Sequence, residues 1–99
     1  MEIVEGNIEN FDELISKGPV LVDFFATWCG PCKMLSSEIE NVKDKIQVVK
    51  VDIDKNMELC KRYGVMSVPT LIYFKDNAAL KTSVGYITSD EILEFIKEA

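Results

Sequence analysis

The sequence contains no histidine and only three cysteines, and its formal charge is −6 because 17 acidic residues outnumber 11 lysines and arginines. Three cysteines are too few to hold a small fold together by disulfides. The negative charge argues against nucleic-acid and anionic-membrane partners, which need a basic surface. No apolar run approaches the roughly 18 residues of a membrane-spanning helix. We therefore expect a globular protein without a nucleic-acid or membrane partner.

The N-terminal residues 1–7 open acidic and lack both a basic start and a continuous apolar stretch, so they do not have the features of a secretory signal. We therefore expect a cytoplasmic protein, although the mature form of an exported protein would look the same. With 99 residues, 47% hydrophobic and 28% charged, the chain is typical of one globular domain. We expect a single domain over residues 1–99 and a monomer.

The hydrophobic pattern predicts alternating strands and helices. Residues 20–26 are apolar on both faces except at Asp23, which is typical of a central strand covered by helices on both sides. The other predicted elements are a strand at 2–4, helices at 8–15, 31–43 and 56–63, strands at 48–53, 70–75 and 79–86, and a last helix that begins with the capping-box sequence at Thr88. This order predicts an α/β fold whose largely parallel sheet ends in an antiparallel hairpin.

Cys29 and Cys32 lie between the carboxyl end of the central strand and the start of the next helix. Backbone N–H groups and the helix dipole favour negative charge there, so Cys29 is placed to be a thiolate. A thiolate attacks disulfides, and the short spacer lets Cys32 reach the same sulfur, so the pair can cycle between dithiol and disulfide. Half of a zinc site is the alternative, but with only Cys60 to add the chain lacks a standard ligand set. We expect no metal and no cofactor.

The segment from Val20 to Lys33, followed by Val68-Pro69-Thr70, resembles the thioredoxin family. The resemblance extends over essentially the whole chain and is strongest at Trp28-Cys29-Gly30-Pro31-Cys32. It implies a thioredoxin fold, a central mixed sheet of four or five strands with two helices on each face. It also implies a dithiol that reduces disulfide bonds in substrate proteins, and a thioredoxin reductase or equivalent electron donor that regenerates it.

The resemblance gives catalytic roles to four residues. Cys29 resembles the attacking cysteine, Cys32 the resolving cysteine, and Asp23 the buried acid beneath the pair. Burying a lone carboxylate among apolar neighbours costs on the order of a few kcal/mol, so such a residue is usually functional. An aspartate that reaches solvent from an edge strand is the alternative. Lys50 lies near this acid in the family, whereas its alternation with Asp52 equally fits an exposed lysine.

The resemblance also implies a substrate-contact surface. Pro69 is cis in the family and would lie opposite Cys29, which leaves the backbone of Val68 free to pair with an extended substrate segment. From the residues alone, a trans proline at the start of a strand fits as well. For Trp28, a half-buried aromatic ring without a contact role is the alternative. The predicted surface comprises Trp28, Gly30, Pro31, Val68, Pro69 and Gly85.

The sequence departs from the family pattern at positions outside the dithiol, which bear on helix geometry and partner choice more than on the reaction. Phe25 stands where the family commonly has tryptophan, and Ser37 replaces the proline that commonly kinks the second helix. A net oxidant or isomerase is the rival enzyme, but such proteins often carry a histidine between the cysteines, whereas Gly-Pro resembles the reducing branch. A docking module that acts regardless of redox state is the rival outside the enzymes. Cys60 is expected to be a buried, inert thiol, with a regulatory thiol as the alternative.

Overall fold

The computed structural model describes residues 1–97, which form a mixed five-stranded sheet and four helices. The strands are β1 (Val4–Glu5), β2 (Val20–Phe25), β3 (Gln47–Asp52), β4 (Thr70–Lys75) and β5 (Ala78–Val84). The helices are α1 (Phe11–Ile15), α2 (Gly30–Glu40), α3 (Met57–Tyr63) and α4 (Ser89–Phe95). The strand order is β1-β3-β2-β4-β5, with β1, β3 and β2 parallel and with β4 antiparallel to both of its neighbours. The thioredoxin fold is therefore confirmed, with β2 at the centre.

Each face of the sheet has its own apolar core, because β2 is apolar on both sides. On one face, α1 and α3 pack against Val20, Val22 and Phe24. On the other face, α2 and α4 cover Leu21 and its neighbours on β3 and β4. Two helices on each face were predicted, and the structure confirms them. Asp23 lies on the face that α2 covers, since it is two residues from Leu21 on the same strand.

Several helix ends agree with their local signals. Gly64 ends α3 in the left-handed conformation with φ 67°, which only glycine adopts at little cost. At the start of α4, Thr88 and Glu91 form the predicted capping box. Several predicted boundaries differ from the structure. The helix α1 begins at Phe11 rather than at residue 8, and β5 ends at Val84 rather than at residue 86. The first strand is at Val4–Glu5 rather than 2–4, and α2 ends at Glu40 rather than at residue 43. The apolar period that suggested the longer helix continues through a turn, in which Val42 is still buried.

The hairpin between β4 and β5 turns through Asp76 and Asn77, both of which have positive φ, 54° and 66°. Positive φ at both central residues gives a turn whose twist matches that of the strands, so no glycine is needed. Tyr73 pairs with Lys81 and Phe74 with Ala79, so Leu80 is an extra residue that forms a bulge in β5. The Lys81 ammonium donates hydrogen bonds to backbone carbonyls of residues 95 and 97 at the end of α4. Within residues 1–97, no helix is both long and apolar enough to cross a membrane.

Candidate functional site

Cys29 and Cys32 form a disulfide at the start of α2, with their Cα atoms 5.3 Å apart. Cys29 is the N-cap residue in an extended conformation, and its sulfur accepts a hydrogen bond from the backbone N–H of Cys32 at 3.2 Å. Pro31 fits the first turn of the helix because an N–H there would have no intrahelical partner. The free backbone N–H groups in the first turn of α2 would stabilise a thiolate on Cys29 once the disulfide is reduced.

Asp23 is fully buried on β2. Neither of its carboxylate oxygens has a hydrogen-bond partner among residues 1–97, and the nearest cation is the Lys50 ammonium, 3.8 Å from Oδ2. Burial raises the pKa of Asp23 from 3.8 to about 6, and the attraction of Lys50 opposes part of this rise. The position on the central strand rules out an aspartate that reaches solvent from an edge. The structure therefore places a carboxyl group with a raised pKa beside Lys50, on the sheet face that α2 covers.

Lys50 lies on β3 directly opposite Asp23 in the strand register. Its ammonium donates a hydrogen bond to Ser36 Oγ at 2.6 Å and lies 4.9 Å from the centroid of the Phe25 ring. The side chain is 24% exposed, so Lys50 is held beside the acid rather than on an open strand face. The contact with Ser36 was not predicted, although Ser36 follows Cys32 by four residues and so lies on the same helix face.

A cavity of about 260 Å³ joins Cys32 to Lys50. Its lining residues are Phe25, Ala26, Thr27, Cys32, Lys33, Ser36 and Lys50. A space of this size holds several water molecules. The cavity therefore connects Cys32 with the ammonium that lies beside Asp23.

The predicted contact residues near the disulfide come from two loops. The Val68–Pro69 peptide bond is cis, and Val68 packs against the cluster that contains Cys29 and Cys32. The N–H of Gly85 donates to the carbonyl of Pro69 at 2.8 Å, and its φ of 97° is one that favours glycine. On the α2 side, a Cβ added to Gly30 would meet only open space. The loops before β4 and after β5 are thus tied together next to the disulfide.

Trp28 is 67% exposed and precedes Cys29 directly. Its indole N–H donates to Asp54 Oδ2 at 2.8 Å, which fixes the ring although most of it faces solvent. A half-buried ring is therefore the wrong description. Asp54 was not singled out from the sequence, because nothing in its spacing shows that the loop after β3 comes back to Trp28. The structure thus adds a large, fixed apolar surface beside the disulfide.

Cys60 is not buried, contrary to the prediction. It is partly exposed on α3 and lines an open groove of about 390 Å³ that also contains Ile53, Met57 and Met66. The helix is short, and Leu59 rather than Cys60 enters the core. Partial burial still raises the pKa of the Cys60 thiol above its ordinary value, so the reactive thiolate form is scarce at neutral pH.

We therefore expect thiol reagents to label Cys29 at least about tenfold faster than Cys60 in the reduced native protein at pH 7, because thiolate content governs the rate. Mass spectrometry of peptides after brief treatment with iodoacetamide measures both sites. Cys60 should react faster after unfolding. Equal labelling of the two residues in the native protein would contradict the expectation and would revive a regulatory thiol.

Among residues 1–97, no group of three or more histidine, cysteine, aspartate or glutamate side chains is arranged to hold a metal ion.

Comparisons with known proteins agree with this geometry. A family model described as Thioredoxin matches residues 2–98. The chain is 41% identical to a thioredoxin from Bacillus subtilis, covering 99% of this chain and 98% of that one. It is 43% identical to a thioredoxin from Chlamydia trachomatis, with 91% of each covered. A mutant thioredoxin from Halobacterium salinarum superposes with a TM-score of 0.91 at 35% identity, covering 96% of this chain and 88% of that one.

Proposed function

The chain belongs to the thioredoxin family and is a thiol–disulfide oxidoreductase that reduces disulfide bonds in proteins; we propose that the reaction passes through a mixed disulfide on Cys29, which Cys32 resolves. The observation that carries this proposal is the Cys29–Cys32 disulfide at the N-terminus of α2. Cys29 lies at the N-cap, where the thiolate is best stabilised. Cys32 lies one helical turn inside, within reach of Cys29 Sγ; the two residues are 5% and 3% exposed in the disulfide form, so it is the N-cap position rather than exposure that assigns the attack to Cys29.

The proposed cycle starts from the reduced protein. The Cys29 thiolate attacks one sulfur of a substrate disulfide, the substrate S–S bond breaks, and the other substrate sulfur leaves as a thiolate that takes up a proton from water. Cys32 then loses its proton and attacks Cys29 Sγ, which releases the second substrate thiol. Two electrons have passed to the substrate, and the chain is left with the Cys29–Cys32 disulfide that the structure contains.

We propose that Asp23 accepts the proton of Cys32, either directly or through water in the cavity beside Lys50. A general base works best when its pKa lies near the working pH. Asp23 meets this requirement because burial raises its pKa to about 6 while Lys50 keeps the ionised form accessible. Lys50 is proposed as the cation that balances the charge of Asp23 when the carboxyl group is ionised.

Substrate binding is assigned to the apolar surface around the disulfide, which consists of Trp28, Gly30, Pro31, Val68, Pro69 and Gly85. Val68 precedes β4 and takes no part in the pairing of that strand with β2 or β5. Its backbone can therefore pair with an extended segment of a substrate, a mode that recognises main chain more than sequence. We therefore expect the protein to accept substrates of many different sequences.

Family membership implies disulfide-containing substrate proteins and a reductase as electron donor. We propose that the donor is a thioredoxin reductase or an equivalent enzyme. We also propose that the chain is a monomer with one domain over residues 1–99, and that it works in the cytoplasm. The near-complete coverage of the bacterial relatives supports the single domain.

Equilibration with glutathione redox buffers tests the reducing direction. We expect a midpoint at least about 30 mV below that of glutathione, which for a two-electron couple is a tenfold difference in the equilibrium constant. Trp28, the only tryptophan, reports the redox state, and we expect brighter emission from the reduced protein. A midpoint above that of glutathione would instead identify an oxidant or isomerase.

A variant without the redox pair, with Cys29 and Cys32 both replaced by serine, separates the enzyme from a docking module. An enzyme loses all disulfide reduction, whereas a docking module keeps its partner in either redox state. Retained binding with no reductase activity in the wild-type chain would contradict the proposed function.

A further inference from the structure

The Lys50 ammonium lies beside Asp23 but makes its hydrogen bond to another residue. The distance from Nζ to Asp23 Oδ2 is 3.8 Å, too long for a hydrogen bond, whereas the distance to Ser36 Oγ is 2.6 Å. The ring of Phe25 provides a further contact, with its centroid 4.9 Å from Nζ. The position of the cation is therefore set by a serine on α2 and a phenylalanine on β2.

Ser36 connects this cation to the helix that carries the cysteines. It lies one turn after Cys32, and both residues line the cavity that reaches Lys50. The next residue, Ser37, is exposed. Two adjacent serines thus have different surroundings, and only Ser36 faces the cavity.

We propose that Ser36 is a positioning residue: its hydroxyl group holds the Lys50 ammonium next to Asp23 and thereby tunes the buried base that acts on Cys32. This inference rests on the role proposed above for Asp23.

The Ser36 hydroxyl keeps the Lys50 ammonium from turning toward solvent. Lysine has a long, flexible side chain and a strongly hydrated charge. In the folded protein the ammonium has given up part of its water, and the Ser36 hydroxyl replaces one water molecule as hydrogen-bond acceptor. Because the side chain is 24% exposed, a path to solvent is open. Removing the hydroxyl lets the ammonium turn outward, and Asp23 then loses attraction to its counterion.

Among the groups around Asp23, Lys50 is the cation that lowers its pKa. On the same sheet face, the other charged groups are Asp52 of β3, which is buried and paired with Phe25, and the exposed Glu5 of β1, which is paired with Lys50. On α2, Cys32 and Lys33 line the cavity that reaches Lys50. The partner of Asp23 on β4 is the apolar Leu71. Tyr73 of β4 is paired with Leu21 rather than with Asp23. On α4, the buried residue in this core is the apolar Ile92.

The test is a titration of the Asp23 carboxyl carbon by ¹³C NMR in the disulfide form, where Cys29 and Cys32 do not titrate. In Ser36→Ala we expect the midpoint about one pH unit above wild type, from the loss of a charge contact near 4 Å at intermediate dielectric. Ser36→Thr, which keeps the hydroxyl group, should restore the wild-type midpoint. Ser37→Ala is the matched control and should not move it.

A Lys50→Met background shows whether Ser36 acts through Lys50. In that background, Ser36→Ala should leave the Asp23 midpoint unchanged. An unchanged or lowered midpoint in Ser36→Ala alone would overturn the inference. So would a shift that persists in the Lys50→Met background, because Ser36 would then act on Asp23 by another route.

Rates of substrate release separate this inference from the proposed function. If Asp23 is the base, the pH profile of release in Ser36→Ala should move upward together with the NMR midpoint. If the NMR midpoint moves and the pH profile of release does not, Ser36 does position Lys50 beside Asp23, but Asp23 is not the base. Ser36 then has no effect on catalysis through Asp23. An unmoved midpoint rejects the role of Ser36 whatever the release rates show.

Discussion

Replacing Cys32 by serine should abolish turnover and leave substrate proteins covalently attached to Cys29. The attacking thiolate at the start of α2 remains, but the thiol that breaks the mixed disulfide is gone. Incubation of the reduced variant with a disulfide-containing protein, followed by non-reducing electrophoresis and mass spectrometry, should show a stoichiometric adduct. A reductant should release it.

Two controls define the roles of the cysteines. The Cys29→Ser variant should trap little substrate, because Cys32 lies one turn inside the helix and lacks the N-cap position that stabilises a thiolate. Combining Cys32→Ser with Cys60→Ser should leave the adduct intact, which excludes capture through the partly exposed thiol on α3. Trapping through Cys32 in Cys29→Ser at equal yield would reverse the assignment of attacking and resolving residues.

Asp23→Asn should stabilise the protein increasingly as the pH rises. The pKa of Asp23 is 3.8 as an ordinary side chain and about 6 in the folded protein. Below pH 3.8 the group is protonated in both the folded and the unfolded chain, and burial carries no ionisation penalty. Between the two values the folded chain holds the extra proton, so stability falls with rising pH. Above pH 6 the penalty is complete, at about 3 kcal/mol by the pKa difference.

Asparagine cannot ionise, so the variant escapes this penalty. The difference in free energy of unfolding between Asp23→Asn and wild type should therefore grow by about 3 kcal/mol from pH 3 to pH 8, as measured by urea unfolding. Asp90→Asn, at an exposed position on α4, is the control and should show little pH dependence. The same Asp23 variant should release substrate more slowly, because Cys32 has lost its base. A variant that is less stable at neutral pH and turns over normally would contradict both assignments.

The residues that could be predicted are those whose role is set by local sequence. The strand through Val20–Phe25, the αL residue Gly64 and the capping box at Thr88 each depend on neighbours within a few positions. The Cys29–Cys32 pair is also local, since its spacing and the following helix define the site.

The contacts that were missed join residues far apart in the chain. Trp28 and Asp54 are 26 positions apart, and Ser36 and Lys50 are 14 apart. Each depends on how a loop or helix packs across the sheet and on which rotamer a side chain adopts there. The exposure of Cys60 was missed for a similar reason. Whether a residue on this short helix faces the core depends on how Leu59 packs. Periodicity alone does not contain this information.

The bulge in β5 disfavours strand addition by unfolded chains of other proteins. The two outer strands of the sheet are β1, with only two residues, and β5, which Leu80 interrupts and from which Lys81 reaches the end of α4. Short, bulged and charged outer strands are poor templates for the addition of a foreign strand. A reductase that meets partly unfolded substrates is thereby protected from aggregating with them. In the proposed binding mode, strand addition is confined to the short stretch at Val68, and that contact ends when the substrate is released.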